Sequence, residues 1–464
     1  MNDKYDLAVI GAGPGGYVAA IRASQLGLKT ICIDKRAELG GTCLNVGCIP
    51  SKALLQSTEL FAHLQHDGQE HGISVSGLTI DFSHLMERKK QIVKNLIKGI
   101  EGSFKSNHVD FLQGQARFID AHHLTVEGND GKINEIESTN ILIATGSESI
   151  ALPNLSFDEQ RVLSSTGALN LPAIPKQMIV VGAGSIGLEL ASVYNRLGTE
   201  VVVVEMLDRI CCAMDRSISQ RLLSILKKQG ITFLLSTQVI TAVAQPKEVF
   251  LTVANDEKLQ NLSADVVLVA VGRRPYTQGL DLNKVGIQVD KKGFVSVNKA
   301  FQTSHENIFA IGDCIEGSML AHKASEEGIA VVEMLAKQRI SPVSDMTIPN
   351  VIYTYPEAAS VGMTEDEAKQ ANLDIMVGES QFKANPRARC AGETEGFVKV
   401  IGEKHSGRLI GLHILGSHAS ELIGEGMIAI SKQSLVRDLA YAPHAHPSLS
   451  EAIKEAALSA LSPH

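Results

Sequence analysis

Two cysteines five residues apart, Cys43 and Cys48, lie in the run Gly40-Gly41-Thr42-Cys43-Leu44-Asn45-Val46-Gly47-Cys48-Ile49-Pro50-Ser51-Lys52. On an ideal helix this spacing separates their Cα atoms by roughly 8–9 Å, whereas a disulfide wants less than about 7 Å. A bond between them requires a distorted first turn, which Asn45 and Gly47 would tolerate. Such a bond suits a reducible, working disulfide, and a thiolate near a helix N-terminus is stabilised. The plainer readings are two separate core cysteines or half of a metal site. C-x4-C lacks the second ligand pair that zinc needs, so no metal is expected. Lys52 follows Cys48 by four residues, which lets both face one ligand. Far along the chain, His446 is either a packed core histidine or an acid/base, since removing thiol protons near neutral pH is imidazole work. Glu451 stands three residues after Ser448, a helix-capping spacing. Its two carboxylate oxygens allow it to cap and to orient His446 at once. His444 reads equally as packing or support.

The elements that must position these groups begin with a repeated unit. Residues 5–34 read as strand (Tyr5–Ile10), glycine turn (Gly11–Gly16), helix (Tyr17–Leu26) and strand (Thr30–Asp34). Residues 177–205 repeat it as Met178–Val181, Gly182–Gly187, Leu188–Leu197 and Glu200–Glu205. Each copy carries G-x-G-x-x-G (Gly11, Gly13, Gly16; Gly182, Gly184, Gly187), and each second strand ends in an acid, Asp34 or Glu205. The last glycine and the acid are 18 residues apart in both (34 − 16 and 205 − 187). The glycines permit a tight turn and close approach of a pyrophosphate, which the helix N-terminus then binds. The acid is placed for a ribose hydroxyl. One such fingerprint is weak; two with the acid in register predict two dinucleotide sites.

Further apolar runs, Asn140–Ala144 leading to Gly146 and Asp265–Val271 leading to Gly272, suit the carboxyl edge of a parallel sheet. Pro153–Pro175 reads as a linker, Asn307–Asp313 as a buried strand with Asp313 at its tip, and Ser341–Ser344 as a break. Asp313 and the pair Lys52 and Glu189 also have bland readings, as a helix cap and as solvated charges.

Length and charge bound the rest. A chain of 464 residues implies three or four domains. A net charge of −8 argues against nucleic-acid or anionic-membrane partners. No apolar run nears the ~20 residues that span a bilayer. The basic stretch Arg88–Lys94 reads as a solvated helix face. Seven cysteines in this length make no disulfide scaffold, and the start, Met1–Asp6, runs straight into a strand. A cytoplasmic location is the expectation. Cys32 reads as core, Cys211 and Cys212 receive no role, and Cys314 and Cys390 are expected to be inert despite their placement beside a helix start and two arginines.

Over essentially its whole length the chain resembles the FAD-dependent pyridine nucleotide–disulfide reductases. The marks are residues 40–52, Ala-Ile-Gly-Asp (310–313), Met-Leu-Ala-His-Lys-Ala (319–324) and His-Ala-His-Pro-Ser-Leu-Ser-Glu (444–451). The resemblance implies an α/β fold with two Rossmann-like dinucleotide-binding domains plus a C-terminal α+β dimerisation domain. Its boundaries would be 1–150 for FAD, 151–275 for NAD, 276–345 completing the FAD site, and 346–464 for the interface. Cys43 would exchange with substrate and Cys48 would lie against the flavin, with Lys52 paired to Glu189 beside it. Thr42, Ala116, Gly146, Asp313 and Ala321 would join the first turn in the FAD site, and Val239 and Gly272 the second turn in the NAD site. His446, oriented by Glu451, would be the acid/base and would reach the cysteines of the other subunit of a homodimer. The implied activity is oxidation of protein-bound dihydrolipoamide, with electrons passing through the disulfide and FAD to NAD⁺. Lipoyl domains and the acyltransferase core of 2-oxo acid dehydrogenase complexes, or the glycine cleavage system, would be its partners. His446–Pro447 and Tyr355–Pro356 are candidates for cis peptides. Ser448 stands where the family has threonine, and Leu439–Pro443 is an atypical lead-in. The alternatives are another reductase of the family, or chiefly a docking or scaffold subunit. The intact cysteines and His446 argue against idleness, and the absence of a C-terminal cysteine pair argues against a mercuric reductase.

Overall fold

In a computed structural model describing residues 4–153, 155–256, 258–337 and 343–462, the chain forms two compact units. The first comprises Met1–Pro50, Glu87–Ile150 and Gly272–Val343. Its centre is the strand Lys4–Ile10, whose Leu7, Ala8 and Val9 are fully buried, as befits a parallel strand covered on both faces. Thr30–Asp34 and Ile133–Ile143 flank it in parallel register, and Asp110–Gln113 and Ile308–Ala310 extend the sheet. The strand expected at Asn140–Ala144 is longer than its apolar run. Its polar first half pairs with the antiparallel hairpin Gln115–Phe118 and His123–Glu127. The strand expected over Asn307–Asp313 is shorter, because Gly312 takes φ +71° and turns the chain into a 3₁₀ helix, Gly312–Cys314.

The second unit comprises Ser51–Met86, Ala151–Val271 and Ser344–His464. Its parallel sheet runs in the order Thr232–Leu234, Glu200–Val204, Gln177–Val181, Val266–Val269, Val162–Leu163. The last strand corrects the reading of Pro153–Pro175 as a linker. Val162 and Leu163 are 1% and 0% exposed, so burial recruits a segment that its prolines had marked as irregular. A three-stranded antiparallel sheet over Gln238–Ala264 follows. A five-stranded antiparallel sheet (Asn350–Ile352, Glu357–Gly362, Leu409–Gly416, Phe397–Glu403, Ile375–Gln381) carries the helices Ala419–Ser431 and Glu451–Leu461. This is the α/β fold with two dinucleotide-binding sheets and an α+β C-terminal portion. Of the break expected at 341–344, residues 341 and 342 lie outside the described residues, as do 1–3 and 463–464 of the chain ends read above.

One buried charge cluster ties the second unit together. Asp215 caps the helix Arg216–Lys228 and accepts from Lys399 Nζ at 2.9 Å and from Glu365 N at 3.0 Å. Burial alone would raise this carboxyl, but Ser217, His413, Glu365 and Lys399 hold it far below the usual range. Lys399→Met should therefore destabilise by about 3 kcal/mol, the cost of stripping one partner from a buried pair. Urea denaturation followed by circular dichroism measures it, and an unshifted midpoint would show the cluster to be energetically neutral.

Arg88, Lys90 and Lys94 are exposed as expected, but Lys89 is not. It is 3% exposed, and burial together with Lys90 lowers its ammonium to about 8.

Candidate active site

The two glycine turns have the same geometry. Gly11 and Gly182 adopt φ +107° and +103°, which only glycine takes readily. A Cβ on Gly16 would lie 1.8 Å from the Gly11 carbonyl oxygen, and one on Gly187 would lie 2.1 Å from that of Gly182. The helices begin earlier than expected, at Pro14 and Ser185, so the third glycine falls inside the first turn. Their N-caps, Gly13 and Gly184, offer no side chain to the first-turn N–H groups, which suits a phosphate ligand. Each acid closes its own turn. Asp34 accepts from Ala12 N at 2.7 Å and Arg36 N at 2.9 Å, and Glu205 accepts from Ala183 N at 2.7 Å and Leu207 N at 2.9 Å. Both sites thus fit dinucleotides, with carboxylate lone pairs left for a ribose hydroxyl.

The cysteine segment is tied to the first turn. Gly40 N donates to Ala12 O at 2.9 Å, and Gly41 packs so closely that a Cβ would stand 2.5 Å from Gly13 Cα. Cys43 lies in a short helix, Gly41–Val46, and Cys48 opens the next, Cys48–His66. The expected distortion is this break at Gly47. Asn45 braces it, its Nδ2 donating to Gly41 O at 2.9 Å and Leu39 O at 3.1 Å. Both cysteines are half-buried. Burial first, and then the negative charge of Cys43, raise the Tyr17 hydroxyl.

In the same unit, Asp313 in its 3₁₀ turn accepts from Ser147 Oγ at 2.5 Å. Arg273 holds Ser147 in turn, through Nε to Oγ and NH2 to the carbonyl, both 2.7 Å. Burial lowers the Arg273 guanidinium, and the charges of Asp313 and Cys48 oppose that. The sequence reading missed Ser147 and Arg273, although each directly follows a strand-exit glycine, Gly146 or Gly272, and so stands where ligands bind. Thr42 is in the cysteine helix, Ala321 begins the helix Ala321–Leu335, and Ala116 is buried in the Gln115–Phe118 hairpin strand.

In the second unit, Lys52 Nζ meets Glu189 Oε2 at 2.8 Å. Glu189 Oε1 accepts from Tyr353 N at 3.1 Å, and the Lys52 ammonium sits 4.4 Å from the Tyr353 ring centroid. Tyr353 was not anticipated. Val239 lies in the first strand of the three-stranded sheet. His446 Nδ1 bonds Glu451 Oε1 at 2.9 Å, while Oε2 accepts from Ser448 N at 2.9 Å, so the carboxylate orients the ring. The capping expected from Ser448 does not form, because the N-cap of the helix Glu451–Leu461 is Ser450. Donation by Nδ1 to a carboxylate leaves Nε2 of this exposed ring as the proton acceptor. His444 is half-buried instead, with Nε2 3.0 Å from Glu425 Oε1 and Nδ1 3.0 Å from Ala442 O. Both candidate X–Pro bonds, His446–Pro447 and Tyr355–Pro356, are cis. Cys32 and Cys314 are fully buried, and burial pushes the Cys314 thiol up to about 12, which makes it inert. Cys390 is exposed.

Among the described residues no helix is long and apolar enough to cross a membrane. Residues 5–328 match the pyridine nucleotide-disulphide oxidoreductase family, and residues 348–457 match that family's dimerisation domain. The chain is 48% identical over 462 residues to a mitochondrial dihydrolipoyl dehydrogenase of Schizosaccharomyces pombe, covering 99% of this chain and 90% of that protein. It is 46% identical over 460 residues to mitochondrial dihydrolipoyl dehydrogenase 1 of Arabidopsis thaliana, with the same coverages. The crystal structure of LpdA from Mycobacterium tuberculosis superposes with a TM-score of 0.92 at 27% identity, over 98% of this chain and 100% of that one. The expectation of a cytoplasmic location is overturned, because these curated relatives are mitochondrial. Cysteine usage reports a reducing compartment and does not distinguish one such compartment from another.

Proposed function

The chain belongs to the pyridine nucleotide-disulphide oxidoreductase family, and from that premise we infer that it oxidises dihydrolipoamide to lipoamide and reduces NAD⁺, with FAD as bound cofactor. The observation that carries this reading is the tie between the cysteine segment and the first nucleotide turn. That tie sets a redox-capable pair beside the turn suited to FAD. FAD, when bound, supplies a two-electron relay between a dithiol and a nicotinamide.

The chain's own residues handle sulfur and protons. His446 Nε2 takes a proton from the substrate dithiol, and Glu451 steadies the imidazolium that results. The substrate thiolate attacks Cys43 Sγ of the Cys43–Cys48 disulfide. One S–S bond forms, one breaks, and Cys48 leaves as a thiolate. The second substrate sulfur, deprotonated, displaces Cys43, which takes up a proton as the lipoyl ring closes. Two electrons and two protons have then moved from substrate to the enzyme. Lys52 and Glu189 form a fixed charge pair that would serve the flavin, and Asp313 would bind its ribityl chain. Thr42, Ala116, Gly146 and Ala321 would complete that site, and Val239 and Gly272 would serve the nicotinamide nucleotide. The enzyme acts as a homodimer in which His446 and Glu451 serve the cysteines of the other copy. Lipoyl domains of an acyltransferase core present the substrate. The four segments 1–150, 151–275, 276–345 and 346–464 divide this work.

Glu205 repels a 2′-phosphate and accepts a 2′-hydroxyl. Steady-state lipoamide reduction should therefore prefer NADH over NADPH by more than about tenfold in kcat/KM, or about 1.4 kcal/mol. Equal use of the two nucleotides would sink the assignment of the second turn. No lipoamide turnover with either would sink the function.

A further inference from the structure

We propose that Glu327 is a positioning residue for the flavin, fixing through a buried ion pair the backbone turn that carries Asp313. The proposal rests on the reading of Asp313 as the ribityl-binding carboxylate.

Lys323 and Glu327 lie one turn apart on the helix Ala321–Leu335 and are 3% and 2% exposed. Lys323 Nζ meets Glu327 Oε1 at 2.5 Å. Burying two charges gains little stability over a hydrophobic pair of the same volume, so helix packing alone does not explain them. What the pair provides is a carboxylate oxygen held at a fixed point. Glu327 Oε2 accepts from Gly312 N at 2.7 Å. Gly312 immediately precedes Asp313, and its φ of +71° directs the chain out of the strand Ile308–Ala310. The other end of Asp313 is held by Ser147, which Arg273 holds in turn. Glu327 is therefore the acceptor that sets the backbone of a residue whose side chain is set elsewhere.

The helix bearing Glu327 is also locked to the helix Pro14–Gln25. A Cβ on Gly328 would come within 2.7 Å of Gly15 O, and Arg22 pairs with Glu333 at 2.6 Å. Pro14–Gln25 opens on the first glycine turn. Glu327 thus fixes the distance between the phosphate cradle and the carboxylate for the ribityl chain, the two ends of one extended ligand.

The test is the rate of FAD release from diluted holoenzyme, read as free-flavin fluorescence, with far-ultraviolet circular dichroism to confirm the fold. Lys323→Met/Glu327→Gln removes the ion pair but keeps an acceptor for Gly312 N; release should stay within about threefold of the parent. Lys323→Met/Glu327→Met removes the acceptor too; release should quicken by about tenfold or more, as for losing a hydrogen bond to a charged group. If the methionine pair does not accumulate as holoenzyme, Glu327→Asp replaces it, keeping the charge but falling one methylene short of Gly312, with the same tenfold expected. Equal release from the acceptor-bearing and acceptor-lacking variants would overturn the proposal and leave the pair merely structural. Asp313→Ala separates the two readings. If it fails to quicken release, the reading of Asp313 is wrong. If it quickens release while the acceptor variants do not differ, the positioning role is wrong.

Discussion

Cys43→Ser and Cys48→Ser should each lose lipoamide turnover by more than about a thousandfold, while NADH-driven reduction of an artificial electron acceptor survives in both. Neither variant can form the disulfide, yet neither change touches the turn that Glu205 closes. The two differ in spectrum. On the proposed assignment, removing Cys43 leaves Cys48 beside the flavin, and its thiolate should give a long-wavelength absorption band without any reductant. With Cys48 gone, the remaining sulfur is on the substrate side and the protein should stay plain yellow. Acidification should bleach the Cys43→Ser band, because only the thiolate donates charge. A band in Cys48→Ser instead would reverse the assignment of the two sulfurs. Full turnover in either variant would remove the disulfide from the mechanism.

His446→Gln should lower lipoamide turnover by about 10²–10⁴, the range of a lost general acid/base, and leave artificial-acceptor reduction unchanged. Glu451→Gln isolates the charge behind the imidazole. The amide can still accept from Ser448 N, so the loop and helix start are kept. The Glu451 carboxyl is held below the usual carboxylate range by the Ser448 N–H first, then by His446. It is therefore ionised throughout the neutral range. Removing the charge should cost at least about 10²-fold in kcat, the lower end of the range for a disabled acid/base. An unchanged kcat would show that Glu451 serves only the Ser448 amide.

What could be read in advance was whatever local chain geometry dictates. Glycines that alone can take φ near +105° or yield space to a carbonyl betray themselves, as at Gly11, Gly16, Gly182 and Gly187. So does a cysteine spacing that no regular helix can bridge. What escaped depends on partners distant in sequence. Val162 and Leu163 became a core strand only because Val266–Val269 lay beside them. Lys89 is buried within a run that otherwise reads as solvated charge. Ser147 and Arg273 carry no motif of their own, and their value comes from meeting across 126 residues to hold Asp313. The tip of Asn307–Asp313 was expected to be strand, but the strand ends three residues early, at Ala310, before a turn at Gly312 that the apolar pattern does not record.

The two bonds that Glu205 receives from Ala183 N and Leu207 N set a condition on redesign. An engineer who wants the second site to accept a phosphorylated nucleotide would replace Glu205 by a neutral or basic side chain. That replacement also unties a loop from both sides, leaving two amide donors to find water or a new acceptor. Selectivity and scaffold are written in the same carboxylate, so a single exchange should yield a loosened pocket with poor affinity for either nucleotide. A successful conversion needs at least one compensating acceptor near Ala183, introduced together with the new cation. The first turn, tied in the same way by Asp34, is under the same constraint.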